Sequence, residues 1–152
     1  MTITNANRCT QTQAVTVTVN ALPVITFTAQ PGASACANTD VTYTIQASQS
    51  NNIWVVPGTL VTDYSITSWS LGTSSNTVTL KWLTTGSKTV TINYTNASGC
   101  IVTSATSSIA TTVNPTPTLT SASQAAMVCI GSSATINLAG LLPSSTSTVN
   151  YN

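Results

Sequence analysis

Apolar and polar residues alternate with period two along most of this chain. Val41, Tyr43 and Ile45 are separated by Thr42 and Thr44, and Val78, Leu80 and Trp82 by Thr79 and Lys81. Val90, Ile92 and Tyr94 are separated by Thr91 and Asn93. Successive side chains of a strand point to opposite faces, so this rhythm predicts half-buried strands with one wet face. Thr, Val, Ile, Tyr and Trp, the residues that fit a pleated surface, fill these runs. No stretch carries helical periodicity in helix-forming residues. Turn signals separate the runs: Pro31-Gly32, Ser48 to Asn52, Pro57-Gly58, Gly72 to Asn76, Thr85-Gly86-Ser87 and Asn96-Ala97-Ser98-Gly99, where Gly99 is free to take positive φ. Strands are expected near 23–29, 40–47, 52–56, 65–70, 76–83, 88–95 and 101–113. About seven short strands at this spacing predict an all-β, immunoglobulin-like β-sandwich. Its core is expected to take Val41, Tyr43, Ile45, Trp54, Leu80, Trp82, Val90, Ile92 and Tyr94, with Trp54 as the pin between the layers.

The ends of the chain repeat its middle. Asn5-Ala6-Asn7-Arg8-Cys9 returns as Asn96-Ala97-Ser98-Gly99-Cys100, 91 positions on. Val19-Asn20-Ala21-Leu22-Pro23 returns as Val113-Asn114-Pro115-Thr116-Pro117, 94 positions on, and Cys36 returns as Cys129, 93 positions on. A period that long marks an array of domain-sized units rather than a short solenoid. The expected organisation is the last strand of a preceding repeat in 1–20, one complete unit in 21–114, and the first strands of a following repeat in 115–152. Neither flank can close a sandwich alone, so each is expected to leave sheet edges unpaired, open to completion by a neighbour or by another chain through strand addition.

Composition changes the picture in one respect. Of 152 residues, 32 are Thr and 20 are Ser, while Arg8, Lys81, Lys88, Asp40 and Asp63 are the only Arg, Lys, Asp or Glu residues and there is no His. The polar faces are therefore covered by hydroxyls, and a net charge of +1 does little to repel a second copy. With no basic patch, nucleic acid is excluded as an expected partner. No apolar run is long enough for a membrane-spanning helix, and Met1-Thr2-Ile3-Thr4-Asn5 lacks the basic start and apolar stretch of a signal peptide.

Catalysis is not expected. General acid–base chemistry draws on His, Glu, Asp or Lys at a matched pKa, and a Ser or Thr nucleophile needs a partner base. Asp40 reads as a residue opening a strand and Asp63 as a solvated loop residue. No metal or cofactor site is expected: no cysteine pair stands in Cys-x-x-Cys spacing, and His is absent. Cys9, Cys36, Cys100 and Cys129 stand at equivalent places in successive copies, a regularity that points to oxidised cysteines in an exported protein. Two pairings are open. Cys36 bridges Cys100 within the unit, or Cys36 meets the last-hairpin cysteine of the next unit and staples the array end to end. The second suits the topology, since in a sandwich of this type Cys36 and Cys100 fall at opposite ends.

The string Cys36-x-x-Thr39-x-Val41-x-Tyr43, then Trp54-x-x-Pro57-Gly58-Thr59, Val78-x-Leu80-x-Trp82-x-x-x-Gly86-x-x-x-Val90 and Asn96-x-x-Gly99-Cys100 resembles the PKD-like and Ig-like repeats of large Bacteroidetes surface proteins. The resemblance implies an exported tandem-repeat protein of the bacterial cell surface, of the adhesin or gliding-motility kind carried by type IX secretion. Where typical PKD domains carry Trp-Asp-Phe-Gly-Asp-Gly, this chain has Trp69-Ser70-Leu71-Gly72-Thr73-Ser74, without either acid, so no calcium is expected there. Three roles follow: a non-catalytic stalk, spacer or adhesin segment whose partners are neighbouring repeats; a subunit of an extracellular filament whose terminal strands are completed by copies of itself; or a carbohydrate-binding module with Trp69 and Tyr64 as an exposed platform for surface glycans.

Overall fold

The computed structural model describes residues 1–68 and 71–148. Among them there is no helix, and the fold is all-β. The first flank holds a hairpin of β1 (Thr2–Thr4) and β2 (Thr10–Thr12). The middle holds β3 (Phe27–Ala29), β4 (Ser34–Cys36), β5 (Asp40–Ile45), β6 (Ser50–Val55), β7 (Tyr64–Ser68), β8 (Thr77–Trp82), β9 (Gly86–Lys88), β10 (Thr91–Thr95), β11 (Thr106–Ser107) and β12 (Thr111–Asn114). The second flank holds β13 (Ser121–Gln124) and β14 (Ile136–Ala139), paired antiparallel.

Two layers make up the middle. One is the four-stranded sheet β3-β5-β8-β7, antiparallel throughout, the strand order that immunoglobulin-like sandwiches use for one of their layers. The other is built from β6-β10-β11 and β9-β12-β4. Here β12 lies antiparallel to β9 and parallel to β4, with Thr112, Val113 and Asn114 opposite Ser34, Ala35 and Cys36. The layers meet where Phe27 of β3 and Trp54 of β6 pack edge to face, 6.3 Å between ring centroids. All nine residues expected in the core stand in the buried cluster, joined by Ile25, Ala37, Val56, Tyr64, Val78 and Val113.

The alternation explains both faces. Val78, Leu80 and Trp82 of β8 point inward and are fully buried. Thr42 and Thr79, the residues between, bring their hydroxyls to 2.9 Å across β5 and β8 on the outer face, and Thr77 reaches Thr44 in the same way. Paired hydroxyls thus satisfy most of a face whose only charges are Asp40 and Lys81, opposite each other at one end of it.

The strand boundaries differ from expectation in four places. The strand expected over 23–29 begins only at Phe27. Ser34–Cys36 forms a strand that has no apolar alternation of its own. The expected single strand over 88–95 is broken: β9 ends at Lys88 and β10 begins at Thr91. The expected strand over 101–113 is likewise split, and Ser108 occupies the break, its Oγ accepting from Val90 N at 3.0 Å.

Candidate functional site

Among the described residues no cluster of chemistry stands out; what the fold builds with care are the two ends of residues 21–114. At the entry end, Val24 is held by Tyr94 and Gln46, whose hydroxyl and side-chain amide both donate to its carbonyl. The Gln46 Oε1 accepts from Thr26 N at 2.8 Å, so one side chain straps the incoming segment to the end of β5. Pro23 and Ile25 are buried beside it. Leu22 to Ile25 and Ile101 to Ser104 line an open cavity of about 380 Å³ between linker and last hairpin.

The last hairpin is an Asn-centred turn. Asn96 Oδ1 accepts from Ser98 N at 3.0 Å and from Cys100 N at 2.9 Å, and the backbone closes with Asn96 N to Cys100 O and Gly99 N to Asn96 O. Gly99 has φ +78°, the positive value expected of it. The first flank carries the same turn bond for bond. Asn5 Oδ1 accepts from Asn7 N and Cys9 N, Asn5 N donates to Cys9 O, and Arg8 N to Asn5 O, with Arg8 at φ +64°. The strand register agrees too: Thr4 faces Thr10 as Thr95 faces Ile101.

At the exit end, Ala37 N donates to Asn114 O at 2.8 Å and Thr116 Oγ1 to Ala37 O at 2.6 Å. Thr39 N and Oγ1 both donate to Cys36 O, and Asn38 takes φ +62°. The second flank reproduces this bend: Ser132 N donates to Cys129 O at 3.0 Å, with Gly131 at φ +85°.

Cys9, Cys36, Cys100 and Cys129 are all free thiols. The oxidised pair Cys36–Cys100 is therefore not present, and the topology gives the reason. Cys36 stands opposite Asn114 at the exit end, while Cys100 stands in the turn that touches Ala21 at the entry end. The six residues of β5 run from one end to the other, a length on the order of 20 Å, whereas bridged Cα atoms stand within roughly 4.4–6.8 Å.

Both carboxylates are engaged by the fold. Asp40 accepts from Thr67 Oγ1 at 2.7 Å. Asp63, expected to be a solvated loop residue, instead accepts from Thr59 N at 2.8 Å and from Thr84 Oγ1, to which Lys88 also donates. Lys88 Nζ in turn lies 5.4 Å from the centroid of Trp82. Among the described residues no three His, Cys, Asp or Glu side chains come together to hold a metal, and no helix is long and apolar enough to cross a membrane.

Tyr43, Trp54, Trp82 and Tyr94 lie in the buried core. Tyr64 is corrected: rather than forming half of an exposed platform it is 7 % exposed, its ring packed edge-on against Trp82 at 6.0 Å. Its intended companion, Trp69, lies outside the described residues. Sequence reasoning missed Ser75, whose carbonyl accepts from both Asn52 Nδ2 and Trp54 Nε1; a serine in a polar loop carries no signal of that role.

No family model matches the chain, and no curated protein matches it. Among solved structures it is similar to domains 4–9 of surface layer protein SbsC, with a TM-score of 0.43 and 19% identity over 78% of this chain and 18% of that one. It is also similar to domains 1–6 of the same protein, with a TM-score of 0.41 and 18% identity over 88% of this chain and 19% of that one. The chain thus spans about a fifth of the length of the structures it matches.

Proposed function

We propose that this chain is a non-catalytic structural segment of an exported tandem-repeat protein of the bacterial cell surface, serving as stalk, spacer or adhesin segment. Its whole unit is 21–114, preceded by the end of one repeat in 1–20 and followed by the start of another in 115–152. The observation that carries this reading is the twice-built turn: Asn5–Cys9 and Asn96–Cys100 share a sequence pattern, a hydrogen-bond set and a strand register. Shared ancestry of the flanks with the middle accounts for all three at once. The proline-bearing linkers, bonded at both ends of the unit, suit a mechanical element that passes tension through its backbone. The non-catalytic part rests on the two carboxylates being occupied by threonine and backbone donors, in a chain without His or Glu. Surface location and the PKD-like family rest on the resemblance of the motifs.

Residues 21–114 expressed alone are expected to unfold cooperatively, and antibodies against them to label intact source cells. A non-cooperative 21–114 fragment would remove the repeat assignment, and labelling only after lysis would remove the surface assignment.

A further inference from the structure

The parallel contact between β4 and β12 is longer than either strand. Thr112 N donates to Ala33 O at 2.9 Å and Ala37 N to Asn114 O at 2.8 Å. Side chains extend the contact on both sides. Ile109 N donates to Gln30 Oε1 at 2.9 Å, Thr111 Oγ1 to Gly32 O at 3.0 Å, and Thr116 Oγ1 to Ala37 O at 2.6 Å. Each of these three bonds joins residues 79 apart in sequence, so 30–37 and 109–116 lie side by side in one register. Two of the bonds stand next to prolines. Pro31 and Pro115 bring no N–H, and the hydroxyls of Thr111 and Thr116 donate there instead. Thr111 and Val113 are buried, so water has little access to the contact from the core side.

The direction of the two segments decides how they carry load. The chain enters the unit where Tyr94 and Gln46 hold Val24, and leaves it past Asn114 at the opposite end. Both β4 and β12 run toward the exit, with Cys36 opposite Asn114 at their last residues. Tension along the chain draws β4 by its first residue toward the entry end, and β12 by its last residue toward the exit end. The two segments slide past each other along a common axis, and the bonds between them bear the load together. A hairpin pulled at its open end yields one pair at a time instead. The hold of β3 on β5 is the weaker one: it is three residues long and its register shifts between Phe27 and Ala29.

We infer that the contact of 30–37 with 109–116 is a force clamp, the joint that sets the tension at which the unit opens. This deepens the mechanical role proposed above and rests on it. The β3 segment and the straps on Val24 give way first, releasing residues 24–29, about 20 Å of chain. The rest of the unit holds until the clamp shears. Residues 30–116 then extend in one step of roughly 250–300 Å. Forced opening follows the unfolding rate rather than the equilibrium stability, so the clamp and the core are separable by experiment.

The test pulls the full chain by its two ends in a single-molecule force instrument, beside denaturant unfolding of the same proteins. The parent is expected to show the short step, then the long one at higher force. Thr112→Pro removes the N–H that reaches Ala33 O and is expected to cut the force of the long step at least twofold, its length unchanged. Gln30→Ala/Thr116→Val removes the outermost bonds at half-buried and exposed positions, keeps the strand pairing, and is expected to lower that force by a smaller factor. Circular dichroism checks each fold, and the second variant decides if Thr112→Pro does not fold. Trp54→Phe is the control: it is expected to lose equilibrium stability yet keep most of the parent's opening force. Force that tracks equilibrium stability across these variants, or folded clamp variants as strong as the parent, would overturn the inference. Either outcome leaves the repeat and surface assignments standing, because those depend on cooperative folding of 21–114 and on labelling of intact cells.

Discussion

Asn96 ties the last hairpin of the unit to the segment that enters it: its Nδ2 donates to the Ala21 carbonyl at 2.8 Å, across 75 residues of sequence. The same side chain shapes its own turn through two backbone amides accepted at Oδ1. One residue thus couples a local bend to the segment that leads into β3. Asn96→Ala removes three hydrogen bonds at a partly exposed site, each worth about 1 kcal/mol. Chemical denaturation is expected to show a loss of about 2–3 kcal/mol. Asn5→Ala, which removes the copy of this turn but touches no buried core, is expected to leave the main transition in place.

Trp54 joins the layers. Its ring meets Phe27 of the opposite sheet, and its Nε1 donates to Ser75 O at 2.8 Å. Trp54→Ala is expected to cost about 3–5 kcal/mol, the range for deleting a large buried ring. Trp54→Phe keeps most of the packing, and Ser75 O keeps a donor in Asn52 Nδ2, so about half that loss is expected. Equal losses in the two variants, measured by urea unfolding, would show that the hydrogen bond rather than the ring holds the layers.

The alternation made the core legible. Residues at every second position of 41–45, 78–82 and 90–94 are the ones buried, because a pleated strand offers its neighbours no other arrangement. The turns were legible for the same kind of reason, as in Gly99 and its positive φ. What escaped is non-local. Ser34-Ala35-Cys36 has no apolar rhythm, and only its parallel pairing with β12 makes it a strand. Tyr64 follows the polar pair Thr62-Asp63 and reads as exposed, yet the β7–β8 register sets it opposite Trp82 and turns it inward. Conversely, Val15, Val17 and Val19 alternate with threonine as well as any strand in the unit, and still form none, because a strand requires a partner and none of the described residues lies beside them to pair.

Tyr43 gives the unit an alkaline limit. Burial pushes its phenol above the usual value of 10.0, outweighing the Trp82 and Thr111 side chains, which favour the anion. The folded state therefore holds this proton more tightly than the unfolded chain does. The contribution is fully present below about pH 10, and stability falls as the pH rises through the folded-state value. No hydrogen bond of good geometry satisfies Tyr43 Oη or Trp82 Nε1, so the approach of Trp82 and Thr111 is a weak one, and Tyr43→Phe strands no well-bonded donor and is expected to change stability at pH 7 by less than about 1 kcal/mol. Thermal unfolding of both proteins between pH 8 and pH 11 is expected to show a steeper alkaline decline in the parent. Parallel curves would place the alkaline limit elsewhere.

Gly58 marks where the turn after β6 permits no side chain. It sits at φ +95°, and a Cβ built there would lie 2.6 Å from the Cβ of Asp63. That contact cannot be relieved by swinging a side-chain tip away, because the Asp63 Cβ is fixed to its backbone, and Asp63 N is bonded to Thr59 O at 2.7 Å. The carboxylate is held in turn by Thr59 N and Thr84 Oγ1, with Lys88 behind Thr84. Gly58→Ala therefore combines backbone strain with displacement of a bonded carboxylate, and a loss of about 2–4 kcal/mol is expected. Asp63→Gly removes the clashing Cβ together with the carboxylate's bonds. If the clash dominates, adding Asp63→Gly to the Gly58→Ala chain costs markedly less than Asp63→Gly costs alone. Simple additivity of the two losses in denaturant unfolding would assign the whole Gly58 effect to its backbone.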